Sequence, residues 1–194
     1  MPELQLYDTD GLRLYLNDEE RRAFYTAAMK QPGELRTLCH TLHDTGVRIS
    51  EALALRPSKV DLSEKALLIR SLKKREKILY RAIPVQDSYL DTLELVYGIK
   101  DAQKRKQRKP LWHWSRVHAW RHVKGVMDKA GIDTTMPHAT PKGLRHGFAI
   151  HALSKEVPLN MVSKWLGHAD LKTTAIYLNA VGIEQRDFAS RMWN

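Results

Sequence analysis

The chain has 194 residues, 43% hydrophobic and 28% charged, which allows one domain and excludes collagenous, low-complexity or wholly disordered classes. Lysine and arginine total 32 against 22 acidic residues, a net charge of +10 that favours a polyanionic partner, most commonly nucleic acid. The single cysteine, Cys39, excludes an intramolecular disulfide and a cysteine-only zinc cage, and it fits a reducing cytoplasm.

The first eleven residues are acidic and lack an apolar core, so they do not read as a signal peptide. No run approaches the roughly 18 apolar residues of a membrane span. Asn17 followed by Glu20 has capping-box spacing and predicts a helix with Phe24, Ala27 and Ala28 on its apolar face, ended by Pro32-Gly33. Leu35, Leu38, Cys39 and Leu42 then fall on one face of a second helix, stopped by Gly46. Cys39 is thereby a core residue rather than a nucleophile. A short helix buries Ile49, Leu53 and Leu55 before Pro57. Periodicity then changes: Val60–Leu62, Leu67–Ile69 and Ile78–Pro84 read as strands of a small antiparallel sheet. Pro84 closes that sheet, and Asp87 is predicted to cap a helix carrying Leu90, Leu93 and Tyr97. Lys104, Arg105, Lys106, Arg108 and Lys109 read as a basic loop, and Ser115 caps a helix with Trp120, Val123 and Met127 on one side. Beyond the turn at Pro137–Pro141 the pattern is helical to the end. The fold class is mainly α with a small antiparallel β-sheet (α+β), in a single domain over residues 1–194.

His118 and His122 have zinc-binding spacing on a helix, but no third ligand stands on that face, so no metal site is expected. Trp112, Trp114 and Trp120 have rings that can stack on bases, although a core role is the default for such large side chains. There is no Gly-rich phosphate loop followed by Lys-Ser/Thr, which argues against ATP use, and no cofactor is expected.

A more specific signal is distributed along the chain. Thr45-Gly-Val-Arg-Ile-Ser-Glu51 stands in the first third; Pro141-Lys-Gly-Leu-Arg-His146, Trp165-Leu-Gly-His168 and Tyr177 follow in the last, with Tyr177 nine residues after His168. Each piece alone occurs by chance. In this order, over roughly residues 15 to 190, the set resembles the catalytic domain of the tyrosine recombinases, the phage-integrase family. The resemblance implies that Arg48 and Arg145 are the two catalytic arginines, His168 the third-box histidine and Tyr177 the nucleophile. It makes Glu51 the acidic support and Lys73 the hairpin lysine, with Lys74 the near alternative. Lys142 stands where the family usually has histidine; lysine is a known variant there, and activity as a general base at neutral pH is the point in question.

The chemistry suits these residue types. Two arginines can clamp the non-bridging oxygens of an attacked phosphodiester with forked donors. A tyrosine hydroxyl, with an ordinary pKa near ~10, needs a cationic setting to ionise. A lysine can protonate the leaving 5′ oxygen, and attack yields a 3′-phosphotyrosyl link that religates without ATP or metal. The dense run Arg70, Lys73, Lys74, Arg75, Lys77 and Arg81 reads as phosphate-contacting, with Lys74, Arg75 and Lys77 assigned to DNA binding.

The resemblance further implies double-stranded DNA as partner and a homo-oligomer, a tetramer, assembled on DNA. A C-terminal tail with Ile183, Phe188, Met192 and Trp193 would dock on a neighbouring subunit. Action is expected in the cytoplasm, at nucleoid or plasmid DNA, without membrane contact. Full-length members usually carry a core-binding domain first; here the pattern starts within 20 residues, as in the short fimbrial-switch invertases, and a natural short protein and an excised domain both fit. Competing readings are a non-catalytic DNA-binding regulator of the same fold and a type IB topoisomerase-like relaxing enzyme. A basic RNA-binding protein leaves the ordered motifs unexplained.

Overall fold

A computed structural model describes residues 5–71, 79–180 and 192–193. Asn17 opens helix α1 (Asp18–Met29) with both halves of a capping box: its side chain accepts from the Glu20 N–H at 2.8 Å, and Glu20 Oε2 accepts from the Asn17 N–H at 3.0 Å. The buried stripe is Phe24, Ala27 and Ala28, as the spacing predicts. Helix α2 (Gly33–Thr45) buries Leu38, Cys39 and Leu42 completely, and burial pushes the Cys39 thiol pKa far up, so it packs as a small hydrophobe. Gly46 ends α2 in the left-handed conformation, φ 59°. A Cβ there would lie 2.3 Å from the Phe148 ring, so both backbone and space require glycine.

Helix α3 (Ile49–Leu53) is only five residues long, and Ile49, Glu51 and Ala52 take its inward stripe. Leu53 is therefore half-buried rather than core, while Leu55 beyond the helix is buried. Strands β1 (Val60–Asp61), β2 (Ala66–Arg70) and β3 (Tyr80–Pro84) form an antiparallel sheet in that order. Leu62 is not in a strand: Asp61 Oδ1 accepts from the Ser63 and Glu64 N–H groups and closes a turn at that point. The register pairs Leu67 with Ile83 and Ile69 with Arg81. Ile78 lies outside the described residues.

Helix α4 (Asp87–Tyr97) is capped by the extended backbone of Gln86, not by Asp87. Asp87 is already helical, and its carboxylate accepts from Lys65 Nζ at 2.8 Å. Helix α5 (Ile99–Lys104) was not legible, because six residues with only Ile99 and Ala102 inward show no period; Lys104 is thus helical, and the basic loop starts after it. Ser115 Oγ accepts from the His118 N–H to start α6 (Arg116–Lys129), whose buried stripe is Ala119, Val123, Val126 and Met127. Trp120 lies off that stripe, 41% exposed, with Lys124 Nζ 5.5 Å above its ring. Trp112 is buried and donates its indole N–H to the Glu34 carbonyl at 2.9 Å.

The C-terminal part comprises α7 (Pro141–Ser154), α8 (Leu159–Leu166), α9 (Lys172–Ala175) and a 3-10 turn over Ile176–Ala180. Phe148, Ala149, Val162, Leu166 and Tyr177 form a second apolar cluster beneath α7 and α8, beside the main core shared by α1–α6 and the sheet. No helix among the described residues is long and apolar enough to cross a membrane.

Candidate active site

Three chain reversals bring distant motif residues together. The first is at Gly46, which turns the chain so that Arg48 becomes the N-cap residue of α3. At the start of α7, Thr140 Oγ1 accepts from the Gly143 N–H at 3.0 Å, and a Cβ on residue 143 would lie 1.8 Å from the His138 carbonyl oxygen. The helix is thereby pressed on its own approach loop, and Arg145 enters the core one turn later. The third reversal ends α8: Gly167 is left-handed, and the His168 N–H reaches back to the Ser163 carbonyl at 3.1 Å.

Arg145 is buried, with 5% of its surface exposed. Nη1 donates to the Gly46 carbonyl at 2.8 Å, and Nη2 donates to the Leu166 carbonyl at 2.7 Å and to His168 Nε2 at 3.1 Å. Burial first, then the neighbouring Arg48 charge, draws its pKa down to about 9, so it stays cationic at neutral pH. A guanidinium only donates, so His168 Nε2 must be the unprotonated nitrogen, and Nδ1–H donates to Thr174 Oγ1 at 2.8 Å. His168 thus braces Arg145 in this arrangement rather than presenting Nε2–H outward.

Tyr177 is fully buried, its ring stacked on that of His168 at 6.4 Å between centroids. Its hydroxyl shares a 2.8 Å hydrogen bond with His146 Nδ1. Burial raises the phenol to about 12, against the lowering effect of the Arg145 and Arg48 charges. The cationic setting anticipated from the sequence is present, but desolvation outweighs it. Burial, then the Lys142 and Arg145 charges, lowers His146 to about 3, so its imidazole is neutral.

Arg48 is half-buried on the open side. Glu51, 3% exposed, accepts from the Arg48 backbone N–H at 3.0 Å and from Arg48 Nη1 at 3.3 Å. Burial alone would raise the Glu51 carboxyl, but hydrogen bonds and charge from Arg81, with the Arg48 N–H, hold it below the usual carboxylate range. Arg81 is therefore not a phosphate-contacting surface cation as its hairpin neighbours suggested. It is 7% exposed and ion-paired inward to Glu51 at 2.7 Å. The signal was its period: Arg81 and Ile83 share the buried face of β3. His146 closes the Pro141–His146 motif, and its contact to Tyr177 spans 31 residues and has no local signature.

Lys142 is exposed and makes no hydrogen bond or ion pair among the described residues. Lys73, Lys74, Arg75 and Lys77 lie outside the described residues. Beside Glu51, Arg56, Lys59, Arg70 and Tyr80 line a cleft of about 290 Å³, with Lys59 Nζ 4.4 Å over the Tyr80 ring. His118 and His122 gain no third ligand: the described residues hold no group of three His, Cys, Asp or Glu placed for a metal.

The phage integrase family model matches residues 15–181. Tyrosine recombinase XerC of Psychromonas ingrahamii is 31% identical over 154 residues, covering 76% of this chain and 50% of that protein. The chain thus spans about half the length of this curated relative. Among solved structures, XerA recombinase superposes with a TM-score of 0.74 at 24% identity, over 93% of this chain and 65% of that one. XerH recombinase in a post-cleavage complex with its palindromic difH substrate gives a TM-score of 0.74 at 21% identity, over 100% of this chain and 58% of that one. These likenesses show the tyrosine recombinase catalytic fold, mostly helical with a three-stranded antiparallel sheet. With the family model covering most of its length, the chain belongs to the phage integrase family.

Proposed function

We propose that the chain carries the catalytic unit of a site-specific DNA recombinase, which cleaves and rejoins duplex DNA through a 3′-phosphotyrosyl intermediate. The observation that carries this reading is one contact chain: Arg145 bonds His168, and His168 stacks on Tyr177, although these residues come from three separate elements. Arg48 and Arg145 are assigned to the non-bridging phosphate oxygens, with Glu51 holding Arg48. Tyr177 is assigned as nucleophile, His168 as the brace of Arg145, and Lys142 as an electrostatic donor. Lys73 or Lys74 is assigned to protonate the leaving 5′ oxygen, and Lys74, Arg75 and Lys77 to phosphates. The buried Tyr177 hydroxyl must leave His146 to reach phosphorus, so attack requires the Ile176–Ala180 turn to shift.

The basic cleft supports a DNA backbone path next to Glu51. The XerH complex with its substrate supports double-stranded DNA as partner. Met192 and Trp193 are 79% and 75% exposed, which supports docking of the tail on a second copy in a DNA-bound tetramer; Ile183 and Phe188 lie outside the described residues. A DNA substrate sets the place of action, which we take to be the cytoplasm, at nucleoid or plasmid DNA.

The test is covalent capture. The protein is incubated with a pool of nicked duplexes of randomised sequence, denatured in detergent, and scored for protein–DNA adduct. The wild-type chain forms an adduct and Tyr177→Phe forms none while still retarding DNA. Retardation without adduct in the wild type would instead establish the non-catalytic regulator. Adduct with relaxation but no strand exchange would establish the topoisomerase-like reading.

A further inference from the structure

We propose that Arg81 is a positioning residue that sets the Arg48 side of the site against the His168 side. This rests on the recombinase reading above. Arg81 reaches out of the sheet to three other places. Nη2 and Nη1 donate to the two Glu51 oxygens at 2.7 and 3.3 Å, Nε donates to the Trp165 carbonyl at 2.7 Å, and Nη1 also donates to Ser71 Oγ at 3.3 Å. Its guanidinium lies flat against Gly167, where a Cβ would stand 2.9 Å from Cζ. Glu51 in turn holds the Arg48 backbone and guanidinium. Trp165 is three residues before His168, across the reversal that aims the imidazole.

Stability alone does not explain this arrangement. Desolvating an ion pair costs several kcal/mol, and well-packed apolar replacements are often as stable. What the pair supplies is bearing. A planar guanidinium with its donors committed to a carboxylate on α3 and a carbonyl on α8 has no freedom to rotate without breaking one of them. Arg145 also ties these two sides, from the Gly46 carbonyl to the Leu166 carbonyl, and Arg81 adds a second tie through a side chain that need not touch DNA.

The experiment uses the 194-residue chain and a duplex recovered by covalent capture, with single-turnover cleavage and DNA affinity measured separately. Arg81→Met alone would strand the buried Glu51 carboxylate, so the main variant is Arg81→Met combined with Glu51→Gln, which removes both charges. Arg81→Lys keeps a charge for Glu51 but loses the fork and the Nε donor. Cleavage is expected to fall about 100-fold in the double variant, the effect of a small misplacement of catalytic groups, with DNA affinity and cooperative urea unfolding retained. Arg81→Lys is expected to restore little of it.

A second substrate replaces the bridging 5′ oxygen at the cleaved bond by sulfur, whose thiolate leaves without a proton. The deficit should persist on it, because Arg48 and Arg145 act at the non-bridging oxygens and His168 acts by bracing Arg145. A folded double variant that cleaves at the wild-type rate overturns the assignment. So does a deficit that disappears on the sulfur substrate, which would assign Arg81 to leaving-group protonation. No adduct from the wild-type chain itself would instead remove the recombinase reading on which the assignment stands.

Discussion

Gly46 gives a perturbation whose size can be worked from geometry. Alanine at this position must hold φ near 59°, a left-handed conformation costing a non-glycine residue about 1–2 kcal/mol. Its methyl would also stand 2.3 and 2.8 Å from Phe148 ring carbons and 3.1 Å from a Leu166 methyl. Such overpacking costs about 1–3 kcal/mol, so Gly46→Ala should lose about 2–5 kcal/mol in all. Gly98 provides the internal control. It ends α4 at φ 55°, but nothing lies within 4 Å of its added methyl, so Gly98→Ala should show the backbone cost alone. Urea unfolding of both variants isolates the steric part as their difference. The Gly46 carbonyl also anchors Arg145, so Gly46→Ala should slow covalent adduct formation while Gly98→Ala leaves it unchanged. Equal stability losses in the two variants would refute the close contact with Phe148, and an unaffected adduct rate in Gly46→Ala would refute the anchor.

Arg145→Lys should lower single-turnover cleavage by about 100-fold, since lysine cannot serve the Gly46 and Leu166 carbonyls and His168 at once; near-normal cleavage counts against a forked role. The Tyr177 phenol sits at about 12 in the folded chain, above its ordinary value near ~10, so the folded state binds the proton more tightly. Its contribution is complete below the unfolded value and is lost as pH rises from there through the folded value. Tyr177→Phe should therefore lose less stability than wild type across that alkaline window, and identical slopes would reject the raised phenol. Lys142→His should retain most cleavage activity, because the exposed lysine bonds to nothing among the described residues; a folded but inactive Lys142→His protein would require a contact that only lysine reaches.

Much of the scaffold was legible because its signals are local. Asn17 and Glu20 announce α1 through bonds that close within three residues, and Gly46 marks the end of α2 by its own backbone. Helix α5 was hidden because one inward turn has no measurable period, and the cap of α4 was misplaced because Gln86 caps by conformation alone. The motif residues Arg145, His168 and Tyr177 could be picked from spacing and order, and the structure brings them into contact. The roles that escaped were those written in long-range contacts. Arg81 sits in a run of cations, and only its register beside Ile83 distinguishes an inward guanidinium from its solvated neighbours. The degree to which Tyr177 is covered depends on the packing of Leu6, Phe148 and Val162, which no single segment encodes.

Helix α8 ends between two buried cations. The Trp165 carbonyl accepts from Arg81 and the adjacent Leu166 carbonyl from Arg145, so the negative end of the helix dipole faces both guanidinium groups. An eight-residue helix is too short to persist in water unaided. Its last turn is secured by charges that themselves need those carbonyls to remain buried. Folding of α8 and burial of the two arginines are thus mutually conditional, and opening either one releases the other. In hydrogen exchange the last-turn amides of α8 should open as a unit with those of α7 around Arg145, rather than fray first as an exposed helix end would.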